Sequence, residues 1–286
     1  MTAPQPPSST LPAAAAAAIP DTAAVPRAPR PLLGFFIDLL IGVGVLLLVS
    51  TGAMLVWGMA RGVALAMQAR RAGSELSADQ VAALMGQPGA LAQMVVALVS
   101  TGSAALLLYF WRRRAGAEER RRSHAAALRP STWGRVLLVA CAVFAFSSAV
   151  SFLAEQAGIK PVPSNLALME EAVSRWPWFL IAFAVVIAPA YEELLFRRVL
   201  FGRLLAAGRP WLGMALSSLA FALLHEVPGI SGNGPLAILQ LWLVYAAMGA
   251  AFAWLYWRTG TLWAAVAAHA LNNAIALAAL YFFGIP

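Results

Sequence analysis

Three groups of polar side chains interrupt otherwise apolar stretches of this chain: Glu192, Glu193 and Arg197; His225; and His269 with Asn273. An ionisable group held at bilayer depth costs about 2.5–3.5 kcal/mol on insertion scales, so several of them imply mutual pairing and a task. Glu193 and Arg197 are four residues apart, so on a helix they share a face and can form an ion pair. Glu192 projects about 100° away from Glu193 and cannot share that arginine equally. A carboxylate is therefore left over, and in a partly desolvated site it suits a general base that takes a proton from water. His225 and His269 follow in later apolar segments, whereas His124 lies in a basic stretch and is read as incidental. A lone intramembrane histidine is more often a hydrogen-bonded packing residue, but two of them after a glutamate pair point to one shared site. Phe221 lies one turn before His225, and Asn273 one turn after His269. An amide donor beside an imidazole can hold a developing oxyanion. Asn272 faces elsewhere and reads as a helix-to-helix contact.

The elements that position these groups follow from composition. With 61% hydrophobic and 11% charged residues, the chain lies far from a soluble domain, in which about a quarter of residues are charged. It reads as an integral membrane protein of the all-α class, a polytopic transmembrane helix bundle. Apolar runs near the length needed to cross about 30 Å of hydrocarbon fall at 34–59, 91–111, 136–154, 177–196, 211–226, 236–257 and 261–283. That predicts about seven spans, the fifth being the shortest. With the N-terminus cytoplasmic, most of the 20 basic residues fall on the inner side, against only Arg61, Arg70, Arg71, Lys160 and Arg175 outside. Cytoplasmic segments hold such an excess, so the N-in orientation is expected. The net charge of +8 is then explained by topology and by attraction to anionic lipid. No basic soluble domain accompanies it, so nucleic acid is not an expected partner.

Residues 1–32, rich in Pro, Ala, Ser and Thr, read as a disordered cytoplasmic tail, and 33–286 as the transmembrane helical domain. The first span is expected to serve as an uncleaved signal. The single cysteine, Cys141, excludes an intramolecular disulfide and a cysteine-based zinc site, and is expected to be a packed, inert thiol. Ser77 with Gln80 resembles a capping box and predicts a short interfacial helix. The stretch from Arg112 to Arg122, with Glu118 and Glu119 between arginine triplets, reads as a solvated or lipid-facing loop. Trp176, Trp211, Trp257 and Tyr281 read as interfacial anchors. Gly229, Gly232 and Gly234 make the loop after His225 pliable, which fits either a gate or an ordinary turn.

In order along the chain, Glu192–Arg197 reads EExxxR, Phe221–His225 reads FxxxH and His269–Asn273 reads HxxxN. Each motif alone is weak. The ordered trio resembles the CPBP family of intramembrane proteases, which takes in the CAAX prenyl endopeptidases and the bacterial Abi proteins. The resemblance covers about residues 175–283, the protease-like motif core. It implies an intramembrane endopeptidase acting on a membrane-associated protein or peptide. Glu192 would activate water together with His225, His269 and Asn273 would stabilise the oxyanion, and Glu193 and Arg197 would orient Glu192, with Phe221 in support. Glu192, His225 and His269 also form a ligand set that zinc accepts, so a metalloprotease stays open. His225-Glu226 does not continue to a second histidine in the HExxH pattern, and glutamate-dependent water activation without a resident cofactor is favoured.

One conflict of depth arises. If the fourth span ends near Arg198, Glu192 lies near the cytoplasmic surface, while His225, at the far end of the fifteen residues that start at Trp211, lies about 20 Å across. The resolution expected is that the helix continues through Val199 to Ala207, with Arg203 snorkelling or facing a water-filled cavity. A transporter would spread its charges along a path, and no internal repeat supports one. A non-catalytic scaffold or bacteriocin-immunity protein is the main alternative. The single lysine and abundant alanine fit a GC-rich bacterial genome, hence a bacterial inner membrane and a substrate other than a prenylated tail.

Overall fold

The computed structural model describes residues 30–283, and every regular element among them is helical. The tail expected over 1–32 lies outside the described residues up to position 29. Among the described residues, six helices are long and apolar enough to cross a membrane, and a seventh apolar helix is shorter.

Helix α1, Pro31–Arg71, has 41 residues, about 61 Å at 1.5 Å per residue, roughly twice the hydrocarbon thickness. It overruns the expected span at its C-terminal end, because hydropathy marks where a helix is oily and not where it stops. Its buried face near the start is Phe35, Asp38 and Gly42. Helix α2, Ala78–Leu84, opens on the predicted capping box: the Gln80 amide donates to Ser77 Oγ at 3.3 Å and the Ser77 amide to Gln80 Oε1 at 2.8 Å. Helix α3, Ala90–Arg112, turns a face of small residues inward, from Ser100 to Ala105, which lets α1 and the later helices approach closely.

The stretch read as a loop is corrected. Residues Ala117–Ala127 form helix α4, because Glu118 and Glu119 fall in its first turn, where they complement the exposed amides and the helix dipole. Only 113–116 remain irregular. Helix α5, Pro130–Gln156, carries Cys141 on its outer side, and the thiol is exposed. The expectation of a packed cysteine is corrected too: Val139, Ala140 and Val143 face the bundle, and Cys141 projects toward lipid.

Helix α6, Leu166–Arg175, precedes the helix that organises the site. Helix α7, Pro177–Ala206, runs without a break past the hydropathy boundary, one residue short of the expected Ala207, and ends where Gly208 adopts φ 73°. It is not a uniform α-helix. Ala182–Ile187 and Leu194–Phe201 are wound as π-helix, a form that recurs at functional sites. Pro189 accounts for a consequence of the first π segment. In that register the Ala184 carbonyl would bond the amide of residue 189, which proline lacks.

Helix α8, Pro210–His225, is the short one. It is seated against α7 and against α9, Pro235–Thr259. A Cβ on Gly213 would stand 2.9 Å from Leu204 Cβ, and one on Gly249 would stand 3.1 Å from Ser218 Cα, so glycine at both places sets the helix spacing. Helix α10, Leu262–Phe283, closes the bundle. Phe196, Val199, Phe221, Phe252 and Ala268 meet in its core.

Candidate active site

The extension of α7 decides where Glu192 and Glu193 sit. Both lie in the short α-helical stretch between the two π segments, well inside the helix, and α8 and α10 bring their histidines to the same level. Glu192 Oε2 is 3.8 Å from His225 Nε2 and 3.9 Å from His269 Nε2. Glu193 Oε1 is 2.9 Å from His269 Nδ1, and its other oxygen is 3.0 Å from Arg197 Nε.

The hydrogen bonds fix how each imidazole is presented. His225 Nδ1 lies 2.8 Å from the Phe221 carbonyl, an acceptor only, so Nδ1 carries the hydrogen and donates it. His269 Nδ1 likewise faces the Glu193 carboxylate. When neutral, both rings therefore turn an Nε2 lone pair toward the Glu192 carboxylate. Three acceptors thus face one another at 3.8–3.9 Å, beyond direct hydrogen-bond length. The Glu192 and His225 side chains stay 16% and 22% exposed, whereas Glu193 is fully enclosed.

Aromatic rings hold the imidazoles and the arginine in place. Phe252 stacks on His269 with centroids 5.0 Å apart, Tyr245 lies 4.9 Å from His225, and Phe221 touches His225 at 4.1 Å. The buried Arg197 guanidinium is 4.7 Å above Phe221 and 5.6 Å from Phe252. It has one carboxylate and a cage of ring faces, the arrangement by which π quadrupoles offset part of the cost of an enclosed cation.

One expectation of detail gains a partner and another is corrected. Glu193, expected with Arg197 to orient Glu192, bonds His269 as well as Arg197, so this pair also positions the second imidazole. Arg203 was expected to snorkel or to meet water. It pairs with Asp38 of α1 at 2.6 Å, and Asp38, which has no exposure, also binds Arg112. Asn273 is near but otherwise occupied: it donates to the Ala184 carbonyl at 2.9 Å, the very group that Pro189 leaves unmatched. Among the described residues it makes no hydrogen bond to Glu192 or to either imidazole. Asn272 reaches Met248 Sδ on α9 at 3.4 Å, a contact between helices.

The sequence reading passed over several residues that frame the site. Asp38, one acid in an apolar run, carried a signal in its rarity. Tyr245 and Phe252 carried none, since aromatic residues are ordinary in spans. Glu226, next to His225, is fully buried, accepts from Asn233 at 3.0 Å, and its main-chain carbonyl accepts from the Trp242 indole at 2.8 Å. Asn233 also bonds both main-chain groups of Val162, which joins the glycine-rich loop to the one before α6.

Comparison with known proteins matches the same region. Residues 174–275 match the family described as type II CAAX prenyl endopeptidase Rce1-like. Over 116 residues the chain is 30% identical to YdiL of Bacillus subtilis (strain 168), named as a proposed membrane peptidase, with 41% of this chain and 43% of that protein covered. The chain thus spans less than half the length of the relative it matches. No solved structure matches it.

Proposed function

We propose that this chain, whose residues 174–275 match the type II CAAX prenyl endopeptidase Rce1-like family, is a membrane-embedded endopeptidase of the CPBP kind whose base is Glu192. The observation that carries the reading is the convergence of the Glu192 carboxylate with two Nε2 atoms from separate helices. A water held there gives its proton to Glu192 as it attacks a peptide carbonyl, and His225 steers its second hydrogen. Glu192 then returns the proton to the departing amine, so a single carboxylate serves as base and acid in turn.

The oxyanion needs a donor. His269, held at its Nδ1 by Glu193, is assigned with its Nε2 to the oxyanion side, the carboxylate playing the orienting role that it plays for histidine in hydrolytic triads. Asn273 has a second amide hydrogen beyond the one used by Ala184, and that hydrogen is the one assigned to the oxyanion. The substrate is a peptide or protein segment lying in or on the membrane, which reaches the site through the exposed side of Glu192 and His225. The chain resides in a bacterial inner membrane with its N-terminus cytoplasmic.

A metal-dependent variant has one observation in its favour. Each imidazole donates its Nδ1 hydrogen to an oxygen and aims Nε2 at the third group, the outer-shell pattern that metal-binding histidines show. Glu192, His225 and His269 would hold zinc, which would supply Lewis-acid polarisation of water. His225-Glu226 lacks the second histidine of the HExxH zinc signature, so the glutamate reading is preferred. Glu192→Ala and His225→Ala variants, assayed on a membrane peptide with and without 1,10-phenanthroline, test both readings. Loss of turnover in the variants with chelator-resistant wild type supports the glutamate base. Chelator-sensitive activity restored by zinc selects the metal, and turnover that survives both substitutions removes the site altogether.

A further inference from the structure

At the end of the bundle opposite the loops that follow His225, the arginines at the end of α3 meet one from α7 around a cavity of about 390 Å³ lined by Arg112, Arg113, Arg114, Arg198, Glu119 and Tyr256, among others. Positive charge exceeds negative there. Arg112 is taken up by Asp38, and Arg198 by Glu119. Among the described residues, Arg113 and Arg114 have no carboxylate within ion-pairing distance. Arg113 donates one guanidinium hydrogen to the Gly202 carbonyl at 3.0 Å, while its buried Nε has no partner. Burial, and after it the charges of Arg198 and Arg203, hold the Arg113 guanidinium below the usual arginine range, with Asp38 and Tyr256 offsetting part of the effect.

One turn back along α3 the chemistry reverses. Ser103, Leu106, Leu107, Phe110 and Trp111 line a shallow apolar groove of about 600 Å³. The two cavities are linked by the side chains between them. Arg114 lies over the Phe110 ring and Arg112 over the Trp111 ring, each at 5.7 Å. A polar basin with surplus guanidinium groups, continued by an outward-facing oily groove, has the two-part character of a phospholipid.

We propose that this is a binding site for an anionic phospholipid, with its phosphate held by Arg113 and Arg114 and an acyl chain laid along Leu106, Leu107 and Phe110. Arginine forks match phosphate oxygens bidentately, and basic pockets between membrane helices are where such headgroups lodge. The groove is what favours a lipid over free phosphate, which would use the basin alone. The site is separate from Glu192 and stands whether or not the chain is a protease.

The test uses the full chain in detergent, with native mass spectrometry reading binding of phosphatidylglycerol, phosphatidylcholine and inorganic phosphate in separate titrations. Phosphatidylglycerol is expected to bind in preference to phosphatidylcholine. The Arg113→Gln/Arg114→Gln protein should weaken it by about tenfold or more, as for loss of a charge-assisted hydrogen bond. Leu106→Ser should weaken it without changing what phosphate does. Circular dichroism checks the fold, and Arg114→Gln, at an exposed position, decides the matter should the double variant fail to fold. Equal binding of the two lipids, unchanged affinity in Arg114→Gln, or binding of inorganic phosphate without a preference for phosphatidylglycerol would overturn the proposal.

Discussion

Asp38 and Glu192 are both acids set into membrane helices, and their surroundings differ in a way that separates holding from reacting. Asp38 has no exposure and receives two guanidinium groups, Arg112 and Arg203, from helices far apart in sequence. Its charge is fully answered, and the result is a clamp joining α1, α3 and the end of α7. Glu192 has no guanidinium of its own. It meets two imidazoles across gaps of 3.8 and 3.9 Å and remains partly open. A carboxylate paired with two guanidiniums is fixed in place, whereas Glu192 keeps a partly open face toward two imidazoles, the setting that its proposed role as base requires. Glu193 lies between the two cases, bound to Arg197 like a structural acid and to His269 like a functional one.

The comparison can be broken most forcefully at Glu192. Glu192→Gln keeps shape and volume but removes the base, and should lower turnover by about 10²–10⁴-fold while thermal stability holds. Asp38→Asn should do the opposite, lowering stability by about 3–5 kcal/mol because two buried or half-buried guanidiniums lose their counter-charge. Activity per folded molecule should stay near wild type, as thermal unfolding and active-fraction titration would show. Arg197→Met tests the intermediate case: it strands Glu193, destabilises by a similar amount, and should also lower kcat by displacing His269. A smaller effect is expected for Asn273→Ala. Freeing the Ala184 carbonyl costs about 1–3 kcal/mol in stability. A drop in kcat greater than the stability loss explains would show that the second amide hydrogen serves the oxyanion.

Much of this contrast was legible from residue type and spacing, and the misses have physical causes. The four-residue step from Glu193 to Arg197 gave their pairing, and the 100° offset gave Glu192 its separate direction. Depth alone forced α7 to run beyond the hydropathy boundary, since the two ends of the site could not otherwise meet. What spacing could not provide was partnership between distant segments. Nothing local in the sequence ties Asp38 to Arg203, 165 positions away, so Arg203 was left looking for water. Which neighbour Glu193 chooses depends on the rotation of α10 against α7, and that rotation is set by packing. Pro189 was visible, but its effect on Asn273 required the π register, which no periodicity announces. The exposed Cys141 reflects a general ambiguity: in a membrane helix the lipid face is as apolar as the core, so hydrophobicity does not mark which side turns inward.

The central claim, that Glu192 is the reacting acid and Asp38 the holding one, is tested most directly by single-turnover cleavage of one membrane-embedded peptide by Glu192→Gln and Asp38→Asn proteins, each normalised to folded material. The account predicts near-background cleavage by Glu192→Gln and near-wild-type cleavage by Asp38→Asn. Efficient cleavage by Glu192→Gln, or equal losses in the two proteins, would contradict it.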